Sequence, residues 1–582
     1  MGIPLKSNLW LSAMTGSLLL LIAGFVLLGP TGRDDVYKTL WPANTFATSG
    51  QILNYNGDAL EQSSSLLQVI VLGTLNRITG IHLPDLNFGF ILFSGVLGIF
   101  LLLRLARKMG VRNLLMLGIL AGLQSVYCYW AMGGLDSVLA AVAWLVFANG
   151  FATFSAGRRP WEMLLGVVLV VTVRPEGLMV AVAALAATWI YGVLVQRGKP
   201  GGGRLFTLET RMVIWVSIAF AVIGGAVIVW RIWHSGFWLP QTVIAKSGGF
   251  GVAKSLNGLR YVWHTTRVHP ELWILWAGAG VACWNAIRRK STAVEFLLLG
   301  IVSAGLGFVI VSGGDWMENG RFLVPYIPFL LLLTFVELET LFSKWVSALI
   351  LPWIALSIYG MMVMATGYNT GYSPVMGDPV REEVAEKLEQ SGIHFSERYN
   401  RIHLRDFYPF WALRGEVESL WREKGKPVTV LSQQAGMMAY YLAMMNYGQF
   451  RFIDLVGLCT ADFTDCVVTR DRGNFVGGLN MDLVYFFEDL PNIQAKCGIV
   501  APDIVFGLDD EEGSLRNAVL ANGYRLAYSQ GGKMPIGKGS CLRRWDTHFQ
   551  IPNAFKMICC SSALSIRMSF DFCVCGNLSL MP

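Results

Sequence analysis

Charge is scarce in this chain. Of its 582 residues only 15% are Asp, Glu, Lys or Arg while 54% are hydrophobic, a balance that excludes a soluble globular protein of this length. Several chemical signatures are also missing: no phosphate-binding GxxxxGK[ST] loop, no GxGxxG fingerprint, no HExxH and no doubled CxxC, and the seven histidines are scattered. A nucleotide-driven pump and a metalloprotease are therefore poor readings. The net charge of +7 is modest, and the basic residues fall in short clusters between apolar runs, which argues against nucleic acid and for membrane topology. No internal repeat is visible, and the one low-complexity stretch is "GKPGGGR" at 198–204.

What the chain has in abundance is long apolar runs. A helix needs about 20 apolar residues to cross the hydrocarbon core. Such runs lie near 8–29, 87–105, 112–131, 134–154, 176–195, 211–232, 270–287, 293–312, 322–341 and 345–366, and a shorter one, 161–173, stops at Arg174-Pro175. The expectation is an α-helical polytopic membrane protein with about eleven spans. Residues 66–80, "LLQVIVLGTLNRITG", are too short to span and carry Asn76 and Arg77, so they read as an interfacial or re-entrant helix. The first run follows only Lys6 and has no small-residue cleavage site after it, which reads as a retained span.

With the N-terminus inside, "RLARKMGVR" (104–112), "GRRP" (157–160), "QRGKPGGGR" (196–204), "RRK" (288–290) and Lys344 all fall on the cytoplasmic face. The outer face then collects Asp34 and Asp35, "GGLDS" (133–137), "VRPEG" (173–177), the loop 233–269, "GGDWMENGR" (313–321) and everything after 367. The chain thus divides into a membrane domain, 1–368, an extracytoplasmic α/β domain, 369–545, and an unassigned cysteine-containing tail, 546–582. In the outer domain, "DPVREEVAEKLEQSGI" (378–393) reads as an amphipathic helix, and "PVTVLS", "RFIDLVG", "LVYFFE" and "PDIVFG" read as short buried strands. Cys459, Cys466, Cys497 and Cys541 permit two disulfides in an oxidising compartment, or are buried thiols.

The functional signal is a set of ionisable groups at loop ends on the outer face: Asp34, Asp35, Glu61, Asp136, Arg174, Glu176, Lys246, Asp315, Glu318 and Arg321. One such residue needs only headgroup water; ten on one side point to a site. Arg174 sits beside a helix-breaking proline and calls for an anion, either Glu176 within the fold or the phosphate of a ligand. Lys246 and Arg321 suit the same phosphate duty. Asp34 and Asp35 repel one another, which raises the pKa of one and suits a general base, with Asp35 favoured and the reverse order open. Tyr37, Trp41, Trp238 and Trp316 offer aromatic surfaces to a sugar. A divalent cation on the acidic groups is possible chemistry, although a monophosphate leaving group gives little reason to require one.

The stretches 33–68, 133–137, 173–177, "LPQTVIAKSGG" (239–249) and "GGDWMENGRFLVPYIP" (313–328) resemble, in order and spacing, the GT-C membrane glycosyltransferases, nearest to the terminal arabinofuranosyltransferase branch. "YYLAMMNYGQFRFIDLVGLCTADF" (440–463) is similar to a segment of that family's extracytoplasmic domain. The resemblance implies an inverting transfer of a sugar, arabinofuranose in that branch, from a polyprenyl-phosphate donor to a glycan or protein acceptor on the periplasmic side of a bacterial inner membrane. It places the catalytic aspartate on Asp34 or Asp35. Departures at Gln241, at Asp136 and in "EQSSS" (61–65) fall where sugar or acceptor would be touched and bear on substrate identity. A mannosyl or other hexosyl transferase, or a flippase of polyprenyl-linked glycans, are the competing readings.

Overall fold

The computed structural model describes residues 8–365 and 413–544, apart from 29–33, 156–159, 198–207, 247–250, 289–290, 316, 318, 343–345, 433–434, 462–489, 509–520, 523 and 530–538. Every apolar run expected to span is helical, from Leu9–Ala23 to Val346–Ala365. Among the described residues six helices are long and apolar enough to cross a membrane, or seven when a bent pair counts as one. The expected eleven spans are thus present as helices, but several are too short to be full crossings. Trp161–Val173, for instance, has 13 residues, because Arg174 precedes a proline and turns extended (φ −146°, ψ 134°). Residues 66–80 form the helix Leu66–Thr79, opened by the Ser65 hydroxyl on Gln68 N and closed by left-handed Gly80.

Small residues bring the helices together. A Cβ on Gly16 would stand 2.5 Å from Gly118 O, and one on Gly122 would stand 2.1 Å from Gly16 O. The helices Leu9–Ala23 and Leu114–Leu123 therefore touch backbone to backbone, where packing must do what the hydrophobic effect cannot do in lipid. Leu114–Leu123 continues into Ser125–Ala131 through a 61° bend at Gln124. Large side chains such as Trp10, Leu18, Val222 and Val229 stay exposed, as lipid-facing positions do.

The two ends of the bundle differ. At one end Arg104 grips Glu162 with both terminal nitrogens, and Glu339 accepts from the N–H groups of Arg112 (3.0 Å) and Asn113 (2.8 Å). The unusual polar groups gather at the other end: Arg174 closes the helix that Glu162 opens, and Asn87, near the start of the helix Leu83–Lys108, donates to Gly134 O (2.9 Å).

Outside the helices, a five-stranded sheet comprises β1 (Val428–Ser432), β2 (Phe450–Asp454), β3 (Ile504–Leu508), β4 (Tyr524–Ser529) and β5 (Gly539–Arg544) in the order β2-β1-β3-β5-β4. β1 runs parallel to β2 and β3, with Ser432 opposite Asp454, while β5 runs antiparallel to β3 and β4. Three expected strands match β1, β2 and β3; β4 and β5 carry charged or small residues and gave no apolar run to find. The expected helix 378–393 and strand "LVYFFE" lie outside the described residues, as does the tail after residue 544. Cys497 is disulfide-bonded, whereas Cys459 is a buried free thiol, so the four outer cysteines do not form two bridges.

One loop of the membrane domain seats this sheet. Asn54 folds the loop on itself, its Oδ1 accepting from the N–H groups of Asn56 (3.0 Å) and Asp58 (2.8 Å). Asn56 then pairs with the outer edge of β2, donating to Phe452 O (2.9 Å) and accepting from Phe452 N (2.7 Å). A side-chain amide thus occupies an edge that would otherwise offer bare backbone groups.

Candidate active site

Asp35 lies in a 3₁₀ turn, Asp34–Val36, that feeds the helix Tyr37–Ser49. Three residues on, Lys38 falls on the same face, and its ammonium pairs with Asp35 Oδ1. The other carboxylate oxygen, Oδ2, is 3.8 Å from Arg321 Nη1. Both Asp35 and Lys38 are buried. Lys38 went unrecognised in the sequence, where a lone lysine in a polar loop carries no mark; its i,i+3 relation to Asp35 was the available signal.

Arg321 comes from the loop 313–321, bent by left-handed Gly313, Gly314, Asn319 and Gly320. Of these only Asn319 is not glycine, and its side chain makes that conformation tolerable. Arg321 Nε lies 2.5 Å from Asp315 Oδ2, but the N–H is not aligned on the oxygen. Burial works against the Arg321 cation, yet Asp315 and Asp35 outweigh it and raise its pKa, so the guanidinium stays charged.

The second arginine reaches the same place from another helix end. Arg174 Nε is 2.8 Å from Glu176 Oε1 and 3.8 Å from Asp136 Oδ2, again without an aligned hydrogen bond. Asp136 also accepts from the Ser64 hydroxyl at 2.9 Å. Its own turn is held by Gly134, whose carbonyl accepts from Asn87 and Gln68. Both guanidiniums stand over Phe322, each 5.1 Å from the ring centroid. Four carboxylates (Asp35, Asp136, Glu176, Asp315) therefore meet three cations (Lys38, Arg174, Arg321) in one buried cluster. A small cavity of about 10 Å³ adjoins it, with Arg174, Glu176 and Tyr326 at its polar part and Ala140, Trp144 and Val170 among its apolar walls.

Other expected site residues are used differently. Glu61 is closed in a bidentate pair with Arg231 (Nε to Oε2 2.7 Å, Nη2 to Oε1 3.2 Å) and is not part of the cluster. Burial raises the Glu61 pKa and Arg231 opposes that rise. Trp41 is buried, donates through Nε1 to Asn54 O (2.7 Å) and packs on Tyr55 and Tyr447, so it presents no open face to a sugar. Tyr37 packs at a tilt against Tyr440 and Tyr441, with ring centroids 5.3 and 5.7 Å away. Gln241, expected near sugar or acceptor, instead donates to Gly457 O (2.8 Å) and Thr460 O (3.3 Å). Trp238 is 60% exposed and stands outside the buried cluster. The side chains of Asp34, Lys246, Trp316 and Glu318 lie outside the described residues. Among the described residues no group of three or more His, Cys, Asp or Glu is arranged to hold a metal ion.

Fold and site together define a polytopic helical membrane protein with a C-terminal five-stranded sheet and a buried cluster of opposite charges. No protein-family model matches the sequence, and no curated protein matches it. Among solved structures, the chain is similar to ArnT from Cupriavidus metallidurans bound to undecaprenyl phosphate, at 14% identity and a TM-score of 0.49, over 92% of this chain and 97% of that one. It is also similar to the Archaeoglobus fulgidus oligosaccharyltransferase tethered to an acceptor peptide, at 12% identity and a TM-score of 0.47, over 91% of this chain and 74% of that one. Likeness at this level says nothing about chemistry, which rests on the residues of this chain.

Proposed function

We propose that the chain is a membrane glycosyltransferase that moves a sugar from a polyprenyl-phosphate donor to a glycan or protein acceptor, with inversion. The observation that carries this reading is the meeting of Asp35 with Lys38 and Arg321, and of Arg321 with Arg174 over Phe322, in one buried cluster. A carboxylate such as Asp35 is a base that can take a proton from an acceptor hydroxyl. That oxygen attacks the anomeric carbon, the bond from carbon to phosphate oxygen breaks, and the electron pair leaves with the polyprenyl phosphate. Arg174 and Arg321, whose Nε–H groups are not satisfied by their carboxylate neighbours, suit the growing negative charge on that phosphate.

Arabinofuranose is the favoured sugar, on the likeness of "RPEG" and of "GGDW" to "RFLVP" to the arabinofuranosyltransferase branch. A periplasmic location of the outer domain is supported by the disulfide at Cys497, since such bonds persist in oxidising compartments. In this reading the outer domain binds the acceptor. Mass analysis of the lipid that copurifies with the protein, followed by transfer of that sugar in reconstituted vesicles, tests the proposal. A polyprenyl-phosphate sugar that is turned over supports it; a lipid that crosses the vesicle membrane unaltered identifies a flippase and overturns it.

A further inference from the structure

A second buried polar network joins the helix Ser125–Ala131 to the start of the helix Glu271–Ile287. At the 61° bend, Ser125 Oγ donates to Glu271 Oε1 and lies 2.7 Å from His269 Nδ1. With the serine proton committed to the carboxylate, the imidazole must donate from Nδ1 to the serine oxygen, which leaves Nε2 as an acceptor. Gln124 Nε2 also donates to Glu271 Oε1 (3.4 Å), whereas His269 Nε2 makes no hydrogen bond among the described residues. His269 and Glu271 have no exposed surface, and Ser125 has none either. Ordering four polar groups where water cannot reach is costly unless they hold something in place.

What they reach is the loop of the candidate site. Asn319 is the non-glycine residue in the left-handed region and stands two positions before Arg321. Its carbonyl accepts from Trp130 Nε1 (2.7 Å), and Trp130 lies on the same short helix, Ser125–Ala131, as Ser125. That helix ends just before the turn that carries Asp136. One rigid seven-residue piece therefore bonds Glu271 and His269 at its start, Asn319 near its end, and leads into Asp136 beyond.

We propose that His269, Ser125 and Glu271 are positioning residues, which anchor the helix Ser125–Ala131 and, through Trp130 on that helix, hold Asn319 and the alignment of Arg321 with Asp35 and Asp315. The inference rests on the catalytic reading of that cluster. Misplacing a reacting group by about 1 Å costs on the order of a hundredfold in rate. His269→Leu removes the contact with Ser125, whereas His269→Asn keeps a polar atom at the Nδ1 position toward Ser125.

The test is transfer from a polyprenyl-phosphate sugar by the full chain in vesicles, alongside binding of undecaprenyl phosphate and the thermal midpoint. His269→Leu is expected to lower kcat by about tenfold to a hundredfold with donor KM little changed, and His269→Asn to recover most of it. Equal rates for both variants and wild type overturn the inference, as do losses that merely track the thermal midpoint. A failure of the catalytic reading looks different: wild-type protein then transfers no sugar, and Arg321→Ala leaves undecaprenyl phosphate binding intact.

Discussion

Arg174 and Arg321 share one aromatic neighbour, each guanidinium carbon 5.1 Å from the centroid of Phe322. Two like charges tolerate this closeness because Glu176, Asp136 and Asp315 surround them. The arrangement is dense in charge and short of aligned hydrogen bonds, which is the condition of a site prepared for an anion.

If Asp35 is the base, as proposed, its replacement by Asn removes the base and keeps the shape. Transfer is expected to fall by about 100-fold to 10,000-fold, the range for a lost general base, while undecaprenyl phosphate still binds. Steady-state transfer assays on the purified variant measure this, and turnover within a few-fold of wild type would falsify the role.

Arg321→Lys keeps the charge and loses the planar fork and its stacking on Phe322. A weakened charge-assisted contact of about 1.5–3 kcal/mol corresponds to roughly tenfold to a hundredfold in transfer efficiency. The comparison is kcat/KM for donor lipid; a lysine that serves as well as arginine contradicts bidentate phosphate contact.

Glu61 and Arg231 make a buried bidentate pair. Arg231→Met leaves a buried carboxylate unpaired and is expected to cost about 3–5 kcal/mol, with Glu61→Leu on top of it restoring much of the loss. Thermal unfolding in detergent reads the cycle. A double variant that stays folded yet loses all transfer would return Glu61 to the site.

Asn56→Ala removes both bonds to the edge of β2 and leaves the Phe452 backbone groups unpaired. The expected cost is about 1–3 kcal/mol, read as faster hydrogen exchange at Phe452 and easier proteolysis of the outer domain. Protection equal to wild type shows that the sheet is seated by other contacts.

Reductant is expected to lower the stability of the outer domain by about 2–4 kcal/mol through the bond at Cys497, and Cys459→Ala to leave that response unchanged. Unfolding followed with and without dithiothreitol decides it.

Much of this molecule is legible in one dimension. The helices from Leu9–Ala23 to Val346–Ala365 follow apolar runs, and β1 to β3 follow short ones, because burial in lipid or in a core is a demand each segment meets locally. Likewise the membership of Asp35, Asp136, Arg174, Glu176, Asp315 and Arg321 in a single group follows from charge at loop ends on one face, where lone charges are costly.

Partner choice is not local, and only the folded chain decides it. Glu61 looks like its acidic neighbours until the helix Leu208–Ser235 places Arg231 against it, 170 positions away. Trp41 looks like a sugar platform until Tyr55 and Tyr447 cover it, and Lys38 looks like surface until its turn folds onto Asp35. Hydropathy is summed residue by residue along the chain, whereas an ion pair is a distance between two residues, and that distance exists only once the intervening segments have packed.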